Sequence, residues 1–530
     1  MEGIRIGIDL GTTNVCCYYE MNGHIELLID NRSSSGIIPS YVDYKKGGDI
    51  IVGTLAKRNN DKSISSSNVL RNTKRAIGKR LNEILGDVTK AIFGQTPLER
   101  DNKPVFHITA LDKYVTPGDV ASEIVKEVIR LAEERTGMKV TEVCITVPAN
   151  FGHNERVATL QAVMSAGIPE ESIHIQNEPT AAAICYWEEG MKRSQRVLVY
   201  DFGGGTFDVS ILEVNDGTFN IITYEGINDL GGVDIDSMVL DVVGEKFFKT
   251  NGIPLFPPTM EEKVRERHYR KLLAAAEQTK ILLQEMKSVT FTIPYVGEYK
   301  QIAGIEDEDK GDIELTIDQS EFNAKISMLV DDTITVVDKA LERANFKAED
   351  IDKVLLVGGS SNLCLVREKL EEKFGKHKIS RSIDPNTCVA KGACLQLVNK
   401  LAIHDVLPYS LGKIVKIDNQ AIVCCLAPCR ERLPKEFSIK TQPIQDYLKE
   451  YYLYIVQGRQ EKEGDRQQYD RNKFKILDVM PFGGFEERKK EEVIFETTFE
   501  VKANGMLYVS VNELKSNTVV LEKTRYTFTE

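Results

Sequence analysis

The sequence has 530 residues, of which 42% are hydrophobic and 28% charged, so its composition is that of a globular protein with room for several domains of about 150 residues each. Its 80 acidic and 68 basic residues give a net charge of −12, which argues against a nucleic-acid partner. Apolar runs stay well below the ~18 residues of a transmembrane helix and the start lacks the regions of a signal peptide, so we expect a cytoplasmic protein with no membrane partner.

Two segments far apart in the chain share one pattern. The first consists of a strand with alternating apolar residues from Ile4 to Ile8, followed by Asp9, Gly11, Thr12 and Thr13. The second consists of a short apolar strand from Val197 to Tyr200, followed by Asp201, Gly203, Gly204, Gly205, Thr206 and Asp208. Since both join a carboxylate to a glycine turn at a strand end, we interpret them as an internal repeat that forms two similar lobes around one cleft.

These glycine turns indicate a phosphate site. Glycines let successive backbone N–H groups close on an anion, and nearby carboxylates suit a hydrated Mg²⁺, which keeps several of its waters. The alternative is a glycine-rich hairpin with solvated aspartates. There is no P-loop, and the Asp201–Gly203 tripeptide occurs without a kinase catalytic loop, so we predict neither of those nucleotide sites.

Between the two segments the pattern is mixed helix and strand. Lys74 lies in a basic stretch that Gly78 interrupts, which places it near a turn. A helix is predicted from Pro117 to Gly137 with Thr116 as its N-cap, and a strand follows at Val140–Pro148. This order favours an α/β lobe.

Three further segments point to ligand contacts. Glu178 lies in the first turn of a predicted helix, where it either caps the helix or contacts metal-bound water. One face of a helical segment at Thr259–Met286 is mixed polar and apolar, which suits a ligand; this face carries Glu277, Lys280, Ile281 and Gln284. A buried strand at Asp352–Ser360 ends in a third glycine turn, formed by Gly358, Gly359 and Ser360.

The last part of the chain is predicted to be all-β. Strand patterns dominate beyond residue 407, Asn504-Gly505 predicts a hairpin turn, and strand-like sequence continues to the end without a helical tail. The ten cysteines form no paired zinc pattern, so we expect reduced, buried thiols; a redox cluster of Cys424, Cys425 and Cys429 is the alternative.

Taken together and in this order, the segments resemble the 70-kDa heat-shock protein chaperones of the actin–hexokinase ATPase superfamily. The matching stretches are IGIDLGTTN at 6–14, ITVPANF at 145–151, NEPTAAAI at 177–184, VYDFGGGTFDVS at 199–210, VLLVGGSS at 354–361, DVLPYSLG at 405–412 and ANGMLYVS at 503–510.

The resemblance implies an α/β fold with a two-lobed, actin-like (RNase H-like) ATPase domain, followed by an all-β sandwich that binds extended peptides. The implied bounds are a nucleotide-binding domain at 1–398 (lobe I at 1–194 and 381–398, lobe II at 195–380), a linker at 399–406, and a sandwich at 407–530 without the family's helical lid. Loops around Val423–Leu426 and Arg430–Pro434 are expected near the peptide groove.

The implied function is that of a slow ATPase and chaperone, in which ATP hydrolysis controls the affinity for unfolded peptides. Its cofactors would be ATP or ADP with Mg²⁺, with K⁺ as a further cation, and its partners would include J-domain co-chaperones and nucleotide exchange factors. The alternative is a low-turnover relative that acts as a regulatory binding protein or exchange factor. A sugar or small-molecule kinase of the superfamily would leave the β-domain unexplained.

The resemblance also assigns residues. The implied catalytic residues are Asp9, Lys74, Glu178, Asp201, Thr206 and Asp208. Of these, Lys74 would orient the attacking water, and Asp9, Glu178, Asp201 and Asp208 would hold Mg²⁺, mostly through water. The implied nucleotide contacts are Gly11, Thr12, Thr13, Gly203, Gly204, Gly205, Thr206, Glu277, Lys280, Ile281, Gln284, Gly358, Gly359 and Ser360.

Some positions depart from the family pattern. The arginines that usually flank the adenine are replaced by Ile281 and Asn362, so two cation–π contacts of about 0.5–2 kcal/mol each are missing and we expect weaker nucleotide binding. Pro148 and Arg156 resemble the residues that connect the nucleotide site to the neighbouring domain. Lys400 reverses the usual charge of the linker, which puts this coupling in question.

Overall fold

The computed structural model of the chain describes residues 3–62, 68–84, 92–190, 194–294, 312–417, 420–443, 445–483 and 487–525. The α-helices in these ranges are α1 (Thr54–Lys62), α2 (Pro117–Thr136), α3 (His153–Ser165), α4 (Glu178–Glu188), α5 (Gly232–Asn251), α6 (Glu262–Leu282), α7 (Gln319–Ala344), α8 (Cys364–Phe374) and α9 (Cys388–Asn399).

The strands up to residue 404 are β1 (Ile4–Leu10), β2 (Asn14–Met21), β3 (His24–Leu27), β4 (Ile37–Pro39), β5 (Tyr41–Tyr44), β6 (Ile50–Val52), β7 (Val69–Arg71), β8 (Leu98–Arg100), β9 (Lys103–Ile108), β10 (Lys113–Val115), β11 (Val140–Val147), β12 (Ile173–Asn177), β13 (Gln195–Phe202), β14 (Phe207–Asn215), β15 (Thr218–Ile227), β16 (Ser288–Ile293), β17 (Ile313–Asp318), β18 (Lys353–Val357) and β19 (Ala402–His404). The later strands are β20 (Ser410–Ile417), β21 (Gln420–Ala427), β22 (Lys435–Thr441), β23 (Glu450–Gly458), β24 (Arg466–Gln468), β25 (Lys475–Gly483), β26 (Phe495–Val501), β27 (Leu507–Glu513) and β28 (Thr518–Arg525).

Two large sheets repeat one arrangement. The first runs β12-β11-β1-β2-β3, with β4 on β2, and the second runs β18-β13-β14-β15-β19. In the first sheet β1 is parallel to β11 and antiparallel to β2; in the second, β13 is parallel to β18 and antiparallel to β14. The repeat read from the sequence therefore corresponds to two α/β units of related topology, as the predicted fold class requires. Three small sheets, β6-β5-β7, β10-β9-β8 and β16-β17, are separate from them.

Helices α4 and α9 lie between the two large sheets. Their buried side chains share one hydrophobic core with β11 of the first sheet and with β13 and β18 of the second. The packing is close, since a Cβ atom on Gly392 of α9 would lie 1.8 Å from the carbonyl oxygen of Ala181 in α4. This position puts the N-terminus of α4, and with it Glu178, at the junction of the sheets.

Several local predictions are confirmed. Thr116 caps α2 and its side chain accepts from the backbone N–H of Asp119, while Gly137 ends the helix in the left-handed region with φ 71°. The helix predicted at Thr259–Met286 is shorter than expected, because α6 begins at Glu262 and ends at Leu282.

The strands after residue 407 form two sheets that pack face to face. One runs β24-β21-β20-β23-β25 and the other β22-β26-β27-β28, with a shared apolar core between them. The hairpin at Asn504-Gly505 joins β26 to β27, as predicted. Val423–Leu426 lie inside β21, as the predicted strand pattern of this region requires, so loops beside a peptide groove would flank this strand rather than include these residues.

The segment between the sandwich and the large sheets is ordered. Lys400 follows α9 in the left-handed region, and β19 then pairs in parallel with β15 at the edge of the second sheet. The residues predicted as a linker therefore include a short strand. Among the described residues, no helix combines the length and apolarity needed to cross a bilayer.

Candidate active site

The two glycine turns meet between the large sheets. A Cβ atom on Gly204 would lie 1.9 Å from Thr13 Oγ1, and one on Gly205 would lie 2.5 Å from Thr12 Oγ1. No side chain fits at either glycine, so the turns approach each other closely because these residues have none. Two sets of backbone N–H groups thus border the same space.

A cavity of about 390 Å³ opens beside the turns. All the nucleotide contacts predicted from the sequence line it, namely Gly11, Thr12, Thr13, Gly203, Gly204, Gly205, Thr206, Glu277, Lys280, Ile281, Gln284, Gly358, Gly359 and Ser360. Of the predicted catalytic residues, Asp9, Lys74, Glu178 and Asp201 also line it. Asp208 is the exception: it is 2% exposed and lies directly opposite Asp201 on the neighbouring strand.

Lys74 projects from a short turn rather than from a helix face. A 3₁₀ turn spans Thr73–Ala76, and Gly78 follows with φ 66°, which agrees with the predicted break. Lys74 Nζ lies 2.7 Å from Glu178 Oε1, and both side chains are about nine-tenths buried. Glu178 therefore holds the ammonium group at the junction of the two sheets.

The carboxylates around Lys74 resist ionisation. Burial raises the pKa of Asp9 to about 7; the charge of Glu178 adds to this effect and that of Lys74 opposes it. Burial, followed by the charge of Glu178, raises the pKa values of Asp201 and Asp208 well above their usual range. Four acidic groups thus share one buried lysine, and the site is short of positive charge.

A hydrated divalent cation fits this donor set. Both carboxylate oxygens of Asp208 are buried, and neither has a hydrogen-bond partner among the described residues. In the same part of the chain, no three His, Cys, Asp or Glu side chains lie close enough to ligate a metal directly. Oxygen donors that act partly through water are typical of Mg²⁺ rather than of zinc or copper.

The far wall of the cavity is formed by α6. Glu277 Oε2 lies 2.6 Å from Lys57 Nζ, so an ion pair joins this helix to α1. Lys280 Nζ lies 2.7 Å from Asp236 Oδ1 and 3.0 Å from the carbonyl oxygen of Gly232. Two of the predicted contacts on this helix, Glu277 and Lys280, are therefore held in place by partners on other elements.

Three residues at the site were missed in the sequence. Arg75 Nε donates to the carbonyl oxygen of Gly205 at 3.0 Å, and its guanidinium pairs with Asp234, so it ties the 3₁₀ turn to the second sheet. Lys57 and Asp236 complete the ion pairs on α6. The Gly231-Gly232 pair at the start of α5 was a detectable signal for Asp236, whereas no local pattern marks Lys57.

The comparisons with known proteins match the same family over nearly the whole chain. The family model described as Hsp70 protein matches residues 5–526. The chain is 31% identical over 516 residues to "Chaperone protein dnaK" of Cyanidioschyzon merolae, covering 96% of this chain and 79% of that protein. It is also 31% identical over 511 residues to "Heat shock 70 kDa protein 6, chloroplastic" of Arabidopsis thaliana, covering 95% of this chain and 67% of that protein.

Proposed function

The chain belongs to the Hsp70 family, and from this premise we propose that it is an ATP-dependent molecular chaperone that binds extended segments of unfolded polypeptides. The observation that carries the proposal is the cavity in which both glycine turns, Lys74 and the carboxylates converge. One relative is named as a chaperone protein and the other as a heat shock 70 kDa protein, and neither name favours the alternative of a low-turnover regulatory protein or exchange factor.

We propose that the chain divides as the family pattern implies. The two large sheets and their helices support a nucleotide-binding domain at 1–398, and the two packed sheets support a peptide-binding sandwich at 407–530. Residues 399–406 connect them. Extended peptides, J-domain co-chaperones and nucleotide exchange factors are the proposed partners.

The proposed reaction is slow hydrolysis of ATP. A bond forms between the water oxygen and the γ-phosphorus, the bond to the β,γ-bridging oxygen breaks, and ADP, inorganic phosphate and a proton result. Lys74, held by Glu178, orients the attacking water, and the backbone N–H groups of the turns bind phosphate oxygens. Asp9, Glu178, Asp201 and Asp208 would hold Mg²⁺, mostly through its waters, and the bound ion would supply positive charge near the phosphates.

A buried network connects this site to the sandwich. Asn177, the residue before Glu178, donates from Nδ2 to Asp405 Oδ2 at 2.6 Å and accepts from Arg156 Nη2 at 2.7 Å. Arg156 Nη1 in turn donates to the carbonyl oxygen of Asn504 at 3.2 Å, in the hairpin between β26 and β27. A change at Glu178 therefore reaches the linker and the sandwich within two hydrogen bonds, which supports control of peptide affinity by the nucleotide.

The reversed charge at Lys400 lies outside this network. Lys400 is exposed at the end of α9, whereas the contacts are made by Asp405, which Tyr224 and Asn177 hold in a buried position. These contacts support a coupling through Asp405 despite the reversed charge at Lys400.

A second contact between the sandwich and the large sheets is ionic. Glu225 of β15 is 7% exposed; it pairs with Arg343 of α7 and with Arg459 of the sandwich at 3.2 Å. Arg430 donates to the carbonyl oxygen of Arg343 at 2.6 Å. In this conformation the region at Arg430–Pro434 faces the second large sheet rather than an open groove.

The proposed function is tested by single-turnover ATP hydrolysis and by dissociation of a labelled, extended apolar peptide, both on the full chain. We expect slow formation of ADP that the peptide accelerates, and peptide dissociation that ATP accelerates. ATP binding without any ADP formation, and peptide dissociation that ignores nucleotide, would together establish the low-turnover alternative instead.

Replacing Arg156 with alanine separates coupling from catalysis. Breaking a buried, hydrogen-bonded charge costs about 3–5 kcal/mol, so we expect the ATP-induced change in peptide dissociation to fall at least about tenfold while ATP remains bound. The matched control is Arg130→Ala on the exposed face of α2. An undiminished ATP response in Arg156→Ala would contradict the proposed connection.

A substitution beside the proposed adenine position should increase the affinity for nucleotide. Ile281 is 44% exposed and lines the cavity, whereas its neighbour Leu282 is 45% exposed and lies outside the lining. We expect Ile281→Arg to tighten ADP binding about 2- to 30-fold through one cation–π contact, as measured by calorimetry. Leu282→Arg is the control, and an equal change in both variants would show that general charge, not ring stacking, is responsible.

A further inference from the structure

A second cavity of about 210 Å³ adjoins the nucleotide cavity. Thr12, Lys74 and Thr206 line both, so the two share a wall at the glycine turns. The second cavity extends from this wall to the sandwich, which contributes Tyr409 and Lys475 to its lining. A group released near the glycine turns, inside the nucleotide cavity, therefore lies next to the second cavity.

The two cavities differ in charge. Four basic and three acidic side chains line the second cavity, whereas two basic and five acidic side chains line the nucleotide cavity. Arg75, Lys79 and Lys475 are the additional basic side chains, and each forms an ion pair, with Asp234, Asp229 and Glu83 respectively. Since walls rich in cations concentrate anions, a free anion is favoured in the second cavity over the acidic one.

Glu155 adds a feature that selects among anions. Its side chain is 8% exposed, and Oε1 lies 3.5 Å from Lys475 Nζ. Oε2 is buried and has no hydrogen-bond partner in the described part of the chain, and the same holds for Oδ1 of Asn150, which also lines the cavity. Such oxygens need a donor, and hydrogen phosphate carries an O–H group that sulfate lacks at neutral pH.

We propose that this second cavity binds the inorganic phosphate produced by hydrolysis, as hydrogen phosphate, before it leaves the protein. The proposal rests on the ATPase activity proposed above, because that reaction supplies the phosphate. Lys475 and Lys79 bind the anion's oxygens, and Glu155 Oε2 accepts a hydrogen bond from its O–H group, which keeps its proton. Lys475 also lies 2.8 Å from Glu83 Oε1, so phosphate competes for an ion pair that joins β25 to the nucleotide-binding part. Phosphate in the cavity thereby loosens that contact.

The first experiment titrates inorganic phosphate and sulfate separately into the nucleotide-free full chain at pH 7.5, with calorimetric detection. We expect phosphate to bind at least about tenfold tighter than sulfate, and Lys475→Gln to weaken phosphate binding about tenfold. Lys473→Gln, an exposed lysine two residues away, is the control and should bind as the wild type does.

A second variant tests the acceptor. Glu155→Gln presents an amide donor in place of one carboxylate oxygen, so we expect the preference for phosphate over sulfate to fall to about twofold or less. Equal affinity for the two anions in the wild-type chain, or equal effects of Lys475→Gln and Lys473→Gln, would overturn the proposal.

The second experiment compares, in one turnover of ATP, the formation of ADP with the appearance of free phosphate at a fluorescent phosphate reporter. We expect phosphate release to lag behind ADP formation in the wild type, and the lag to shorten in Lys475→Gln but not in Lys473→Gln. Simultaneous release in the wild type would refute retention of phosphate. If no ADP forms in any of the proteins, the proposed ATPase activity fails, and the titration still decides the phosphate site.

Discussion

Replacing Lys74 with alanine should lower the single-turnover rate of ATP hydrolysis about 10²- to 10³-fold. The Lys74 ammonium lies 2.7 Å from Glu178, and its charge lowers the pKa values of Asp9, Asp201 and Asp208 against the effect of burial. Its loss removes the group proposed to orient water and leaves the acidic cluster without its buried counter-ion. Catalysis depends on such fixed charges more than on a strong base.

Nucleotide binding should survive the same substitution. The nucleotide contacts proposed on α6 and at Gly358–Ser360 line the same cavity, and Glu277 and Lys280 have ion-pair partners other than Lys74. We therefore expect ADP affinity, measured by calorimetry, to change less than about tenfold. Lys126→Ala, an exposed lysine on α2, controls for loss of charge. A turnover rate within about twofold of the wild type would remove Lys74 from the mechanism.

Replacing Asp208 with asparagine should stabilise the nucleotide-free protein and abolish most of the stabilisation by Mg²⁺ with ADP. Burial and the charge of Glu178 raise the pKa of Asp208, so the folded state binds a proton that the unfolded state has already released. In that pH range the unfolded state holds fewer protons, and stability falls as the pH rises. Asp9, with a pKa raised to about 7, extends this loss to neutral pH.

The measurement tests the direction in which the stability difference between Asp208→Asn and the wild type changes with pH. The stability gained by Asp208→Asn should be larger at pH 8 than at pH 5, because the free-energy cost of keeping the buried wild-type carboxyl protonated grows as the pH rises. Mg²⁺ with ADP should raise the wild-type melting temperature more at pH 8 than at pH 5, and raise that of the variant little at either. Asp216→Asn, at an exposed turn, is the control. A variant that is no more stable at pH 8, yet keeps its full response to Mg²⁺ with ADP, would contradict the role of Asp208.

Much of the fold and the cavity lining follows from local signals. The glycine turn after Asp201 needs residues without side chains, because Gly204 and Gly205 approach Thr13 and Thr12 within the space of one methyl group. The ends of α2 are equally local, since a capping threonine and a left-handed glycine act within one turn. Features of this kind can be predicted from the sequence, because the residues that determine the local structure lie close to it in the chain.

The features that could not be predicted depend on pairs that only the folded chain brings together. Lys57 and Glu277 are 220 positions apart, and nothing near either residue signals the pair. Tyr224 and Asp405 meet because β19 joins the edge of β15. The strand pattern of the three residues of β19 is too weak to predict this pairing. The second cavity likewise arises from two parts of the chain that touch, so its charge balance has no local signature in the sequence.

The shortness of β19 has an energetic consequence. Only Ala402, Ile403 and His404 pair with β15, and each backbone hydrogen bond contributes a net stabilisation of about 0.5–1.5 kcal/mol. A ladder of this length contributes a few kcal/mol at most, which is within the range of the binding energy of a single ligand. The pairing can therefore be reversed by a ligand that also releases the buried contacts of Asp405, whereas a strand twice as long would add about as much backbone pairing again.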